Sequence, residues 1–195
     1  MSRSTPENNH LWGYPSPLAR TLLKCCLLTA VSIGIYACRS AAPPVPEHLR
    51  THHRPLDRQL RGLVRVDAQT LSATEARALP GAVFLDTRES EEYQVSHLPG
   101  ARYLGFRDLV PTALTGLTKD TPLVVYCTVG YRSERIAREL RQQGFTRVYN
   151  LYGSLYAWRL AGLPLENAEG PTDRIHTYNR KWGTFIPDTL GTKVY

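Results

Sequence analysis

From about Val64 onward, short apolar bursts alternate with polar stretches, and the apolar positions take two periods in turn. Val64 to Asp67, Val83 to Asp86, Arg102 to Leu104, Leu123 to Tyr126 and Arg147 to Asn150 are brief, β-branched or aromatic runs, the pattern of strands. Helix-length segments lie between them. Ser72-Ala73-Thr74-Glu75 is a capping box that opens a helix through Leu79. Glu89 to Val95 and Phe106 to Leu114 follow, then Ser133 to Gln143 with Ile136, Ala137 and Leu140 at helical spacing, and last Ser154 to Ala161. Strands alternating with helices predict an α/β fold: one domain with a mainly parallel five-stranded sheet and helices on both faces. In such sheets ligands bind beyond the carboxyl ends of the strands, and Cys127 stands at one of those ends.

The run Cys127-Thr128-Val129-Gly130-Tyr131-Arg132-Ser133 therefore joins a buried strand to a helix N-terminus. Free backbone N–H groups and the positive end of the helix dipole favour negative charge there. The same field stabilises thiolate over thiol, and thiolate is the reactive form. Gly130 permits the backbone turn that points several N–H groups inward, and Ser133 is placed to cap the helix. The loop reads as an anion cradle that contains a nucleophile.

Composition narrows this picture at two points. With 195 residues, 42% hydrophobic and 21% charged, the chain has material for one ordinary domain plus extensions. The net charge of +7 is spread along the chain without an interleaved aromatic pattern, so nucleic acid is not an expected partner. Of the four cysteines, Cys25, Cys26 and Cys38 fall in one N-terminal stretch, and only Cys127 lies in the rest of the chain. No internal disulfide framework is available to the folded part. Cys127 is either an inert buried residue or a working one.

Arg20 and Lys24 precede an apolar stretch, Cys25 to Ala37, of the length of a signal-peptide core. Its end, Ile35-Tyr36-Ala37-Cys38, resembles the bacterial lipoprotein signal, which implies cleavage after residue 37, lipidation of Cys38 and anchoring at the cell envelope facing the periplasm or outside. The alternative is membrane attachment by an uncleaved signal anchor. Residues 38–63 read as a linker, first the Pro-rich spacer Ala41 to Pro46, then a basic stretch in which Leu56, Leu60 and Leu63 mark an amphipathic helix after Pro55. The leucines are expected to pack that helix on the domain. His48, His52 and His53 lack a carboxylate or cysteine to complete a metal site, so no metal is expected.

Residues 64–165 carry several motifs in order. Leu85-Asp86-Thr87-Arg88 with Glu92-Tyr93, His97-Leu98-Pro99-Gly100-Ala101, the Cys127 to Arg132 loop, and Val148 to Leu151 through Ala157-Trp158 and Ala161-Gly162-Leu163-Pro164 together resemble the rhodanese-like sulfurtransferase family. Three positions depart from the family pattern: Ser96 and Ser154 stand where glycines are usual, and Thr128 occupies a loop position that is frequently basic.

The resemblance implies transfer of sulfane sulfur from a small anionic donor such as thiosulfate, through a Cys127 persulfide, to a thiol, cyanide or protein acceptor, with no cofactor. Cys127 is then the nucleophile and Arg132 its charge partner. Thr128, Val129, Gly130, Tyr131 and Ser133 supply loop shape and backbone donors to the substrate. Asp86 and Arg88 are expected as an internal ion pair that anchors the site, and His97 as a residue bonding backbone at its turn. Two other readings share the loop: a non-catalytic binding module of the same fold, and a phosphatase or arsenate reductase. The phosphatase signature has five residues between cysteine and arginine, whereas Cys127 and Arg132 enclose four. Residues 166–195 form an aromatic and basic extension containing Tyr178, Trp182 and Phe185, which is either packed on the domain, a cover for the mouth of the site or a docking strip for a partner.

Overall fold

The computed structural model describes residues 44–195, so the signal segment and Cys38 lie outside the described residues. Five parallel strands form the central sheet: β1 Thr70–Leu71, β2 Val83–Asp86, β3 Arg102–Tyr103, β4 Leu123–Tyr126 and β5 Val148–Leu151, in the order β1-β5-β4-β2-β3. β4 is central and buried at all four positions, which is why it reads as a continuous apolar run and not as an alternation.

Its side chains nevertheless divide by period two. Val124 and Tyr126 face a core shared with Leu56, Leu60, Ala73, Ala76, Leu155 and Trp158, whereas Leu123 and Val125 face Ile136, Ala137 and Leu140. Helices α1 (Arg54–Arg61), α2 (Ala73–Ala78) and α5 (Ser154–Leu160) thus supply one face, and α4 (Tyr131–Gln142) supplies the other. The short α3 (Ser90–Val95) follows β2. The expected α/β architecture with helices on both faces is the one observed.

Several elements differ from expectation for local reasons. Val64 to Asp67 is not a strand. The Asp67 carboxylate accepts hydrogen bonds from the Gln69 N–H and the Thr70 hydroxyl, at 2.9 and 3.0 Å, and this turn delays the strand to Thr70. Phe106 to Leu114 forms only a 3-10 turn at Pro111–Leu114, because the proline holds Val110 extended at φ −100°, ψ 91°. The Ser72 capping box is present as read, with the Glu75 N–H donating to Ser72 Oγ and the Ser72 N–H to Glu75 Oε2.

The stretch before residue 64, expected to end a linker, belongs to the packed body. α1 accepts Pro55 in its first turn, where no intrahelical N–H is lost, and buries Leu56 and Leu60 completely. The C-terminal extension is ordered as well. It consists of the hairpin β6 Leu165–Asn167 and β7 Gly170–Thr172, the parallel pair β8 Ile175–His176 and β9 Lys193–Val194, and a single helical turn, α6 Arg180–Gly183. Ile175 and Ile186 are buried in the core, with Trp182 and Phe185 packed against it.

Candidate active site

The chain leaves β4 at Tyr126, and Cys127 opens the loop that ends where α4 begins. Gly130 sits at the helix N-cap with φ 109°, a backbone conformation that side-chain-bearing residues avoid. A Cβ there would come within 3.2 Å of Val64 and 3.5 Å of the Leu151 carbonyl oxygen. This turn aims the Gly130 N–H at Cys127 Sγ, 3.1 Å away. Burial would push the Cys127 thiol up, but the positive charge of Arg132 and the N–H groups of Ser133, Gly130 and Val129 outweigh it, so the thiol ionises below its ordinary value. The sulfur is held in a nest of donors with Cys127 only 1% exposed.

Arg132 does not reach into open space. Its guanidinium donates to both Glu92 oxygens, at 2.6 and 2.8 Å, and to Thr128 Oγ1 at 3.1 Å, while the Thr128 hydroxyl donates to Glu92 Oε1 at 3.1 Å. Burial alone would raise the Glu92 carboxyl, yet the hydrogen bonds and charge of Arg132, with Arg88 and the Glu89 N–H behind them, hold it below the usual carboxylate range. Glu92 is thus the counter-ion of the loop arginine, a role that its place in the Asp86 motif did not disclose. Its near-complete burial on α3 is a property of the fold.

Ser133 serves the site by its backbone. Its hydroxyl does not cap α4; it donates to Asn150 Oδ1 at 2.8 Å, and Asn150 Nδ2 donates to the Gly130 carbonyl, which pins the loop to β5. The glycine at the N-cap leaves no side chain for that task. Thr128 and Val129 are buried, and Tyr131 is exposed beside Arg135. Asp86 and Arg88 form a fully buried pair at 2.6 Å, and Arg88 also donates to the Ser96 carbonyl. Ser96 is extended at φ −174°, so no glycine is needed there. His97 Nδ1 lies 3.0 Å from the Tyr93 carbonyl, with its ring stacked on Tyr93.

The second departure from glycine has more consequence. Ser154 holds φ 48°, in the left-handed region, and its hydroxyl accepts from the Cys127 N–H at 3.1 Å while donating to the Leu151 carbonyl at 3.0 Å. The start of α5 continues this contact, with the Leu155 and Tyr156 N–H groups bonded to the Cys127 and Thr128 carbonyls. In the motif Ser154 is only an exception to glycine. Its hydrogen bond to the Cys127 backbone crosses 27 residues.

Above the sulfur is a cavity of about 330 Å³, lined by Cys127, Thr128, Val129, Tyr131 and Arg132, by Leu63 before the sheet, by Glu89, Phe106 and Arg107 after β2 and β3, and by Tyr178 and Trp182 of the extension. Among the described residues no group of three or more His, Cys, Asp or Glu side chains gathers to hold a metal ion.

A cysteine ringed by backbone donors at the carboxyl end of a central parallel strand defines a class of site that stabilises an anionic sulfur. Residues 71–161 match the family model described as Rhodanese-like domain. The chain is 38% identical over 90 residues to a thiosulfate sulfurtransferase GlpE of Ectopseudomonas mendocina, covering 46% of this chain and 81% of that protein. It is 42% identical over 62 residues to a sulfurtransferase of Allochromatium vinosum, covering 32% of this chain and 58% of the relative. A tRNA uridine(34) hydroxylase of Erwinia tasmaniensis is 36% identical over 107 residues, covering 49% of this chain but 31% of its own length. The match thus spans under two thirds of the latter two relatives. A rhodanese-like domain from Anabaena, solved by NMR, aligns with TM-score 0.47 at 28% identity over 52% of this chain and 80% of that one. The chain belongs to the rhodanese-like family.

Proposed function

We propose that the protein is a single-domain sulfurtransferase that carries sulfane sulfur as a Cys127 persulfide. The observation that carries this reading is the Cys127 sulfur held among N–H donors, with its ionisation favoured by Arg132. The thiolate attacks the outer sulfur of a donor such as thiosulfate. The donor's S–S bond breaks, its electron pair leaves on sulfite, and a Cys127 Sγ–S bond forms. The resulting persulfide anion occupies the same nest of donors, whose dipoles already point at negative charge. A thiol, cyanide or protein acceptor then attacks the terminal sulfur and returns Cys127 to thiolate. Cys127 is the only cysteine after Cys38, so the acceptor comes from outside the domain.

Anchoring at the cell envelope through a lipidated Cys38 is part of the proposal, supported by Ile35-Tyr36-Ala37-Cys38 behind an apolar stretch. Among the described residues no helix is long and apolar enough to cross a membrane.

The test uses the full chain with Cys25, Cys26 and Cys38 changed to Ser, which leaves Cys127 as the sole thiol. After incubation with thiosulfate, intact mass is expected to show one added sulfur, absent when Cys127→Ser is introduced. No adduct on the Cys127 protein, or an equal adduct on the Ser variant, would sink the proposal.

A further inference from the structure

Beside the mouth of the site the surface gathers positive charge that its own carboxylates do not balance. Arg61 at the end of α1, Arg65 in the turn after it, and Arg135 and Arg138 on α4 line a second cavity, of about 330 Å³. All four are exposed, so none is there to fill the core. One carboxylate, Glu134, lines the cavity with them. It is already engaged, since Oε2 accepts from the Arg65 N–H at 3.0 Å and Oε1 lies 3.5 Å from the Arg138 guanidinium. Among the described residues no carboxylate forms an ion pair with Arg61, Arg65 or Arg135. Exposed Arg54 and Arg58 extend the charge along α1, at helical spacing from Arg61 and on the face opposite the buried Leu56 and Leu60.

Leu63 and Tyr131 line both this cavity and the one over Cys127, so whatever occupies the first stands at the mouth of the second. Tyr131 is 41% exposed and holds Arg135 in place, with the guanidinium 3.8 Å from its ring centre and donating to its hydroxyl. An exposed tyrosine and a leucine framed by arginines is the composition of a protein-binding surface. A small anion needs no more than one or two guanidiniums in a closed socket, whereas these stand on open surface across two helices. A lipid surface is the poorer occupant, because a bilayer spread over this face would also seal the mouth through which sulfur leaves Cys127.

We propose that the face formed by Arg61, Arg65, Arg135 and Arg138 docks an acidic protein, whose accessible thiol, flanked by carboxylates, takes the sulfur from Cys127. The proposal rests on the persulfide reading above and deepens it by the class of acceptor. In the step, the acceptor thiolate attacks the terminal sulfur of the Cys127 persulfide, the bond from that sulfur to Sγ breaks, and its electron pair returns to Sγ. The acceptor sulfur is oxidised to a persulfide as Cys127 Sγ is reduced to thiolate, so no outside oxidant or reductant enters. One negative charge on each reactant becomes one on each product. The four arginines take no part in the bond changes; they raise the encounter rate of a negatively charged partner and fix its orientation.

The experiment uses two peptides as probes, each with one central cysteine, flanked on both sides by glutamates in one and by glutamines in the other. The full chain with Cys127 as its sole thiol is loaded with thiosulfate, freed of donor and mixed with each peptide, and loss of the added sulfur is followed by intact mass. The ratio of acidic to neutral second-order rate constants, compared between proteins, cancels the intrinsic reactivity of each thiol. It is expected to fall about tenfold when Arg61→Gln and Arg65→Gln are combined, and likewise for Arg135→Gln with Arg138→Gln. In the parent it is expected to fall as salt rises from about 0.05 to about 0.5 M. A ratio that is the same in all three proteins, or no transfer to either peptide, overturns the docking face and leaves the persulfide reading standing. Phosphatidylglycerol-containing vesicles that sediment the parent and not the variants, with the peptide ratio unchanged, assign the face to lipid and overturn it too. No sulfur adduct from thiosulfate overturns both.

Discussion

Glu92→Gln is expected to move stability and thiol reactivity in opposite directions. Glu92 is 2% exposed and meets Arg132 through bonds of 2.6 and 2.8 Å. Charge centres about 4 Å apart at an effective dielectric of about 20 attract by roughly 4 kcal/mol, and removing one partner of a buried pair costs about 3–5 kcal/mol because the other charge stays buried. The amide keeps an oxygen for the Glu89 N–H, which Glu92 Oε2 now accepts at 3.0 Å. The expected loss is therefore at the lower end, about 3 kcal/mol in urea unfolding.

The pH dependence has a definite sign. The Glu92 carboxyl is depressed in the folded state, so its contribution is complete above the unfolded carboxylate value of about 4.3 and disappears as pH falls through the folded value. The Gln variant lacks that acid-dependent loss. Meanwhile Arg132, without its counter-ion, turns its field on the Cys127 thiolate, and a nearby negative charge that opposes ionisation is gone. Iodoacetamide modification of Cys127 in the Cys127-only chain is expected to reach half-maximal rate at lower pH than in the parent. A stability change under about 1 kcal/mol, or an alkylation profile that stays put or moves to higher pH, refutes the account of Glu92 as the counter-ion of the loop.

Ser154→Ala and Ser154→Gly both leave the buried Cys127 N–H without its acceptor, which costs about 1–3 kcal/mol, but only glycine relieves the left-handed backbone at φ 48°. Urea unfolding is expected to find the Gly variant about 1 kcal/mol more stable than the Ala variant, and the reverse order contradicts the strain argument. Leu60→Ala empties a fully buried position on α1 and is expected to cost about 3 kcal/mol; a loss under about 1 kcal/mol would mean that α1 does not belong to the core.

Signals that could be read along the chain are those complete within a few residues. The Ser72 capping box, the four-residue apolar run of β4 and the glycine three positions after Cys127 each state their structure locally, and each stands where the pattern put it. The misplacements are local contests that periodicity does not register: the Asp67 side chain turning the backbone ahead of β1, and Pro111 holding Val110 out of helix. The buried Asp86–Arg88 pair was legible because its members are two residues apart and the surrounding motif was present.

The amino-acid sequence by itself determined the alternating architecture, the central strand, the cysteine at its carboxyl end and the family, because these depend on period, local backbone preference and ordered motifs. Tertiary structure alone decided what surrounds the sulfur. Glu92 reaches Arg132 across 40 residues, and Ser154 reaches the Cys127 N–H across 27. Tyr178 and Trp182 return from the C-terminal extension to wall the same cavity. A residue's charge partner, hydrogen-bond acceptor and packing neighbour exist only once the chain has crossed itself, and here those crossings decide how the Cys127 sulfur ionises and what stands above it.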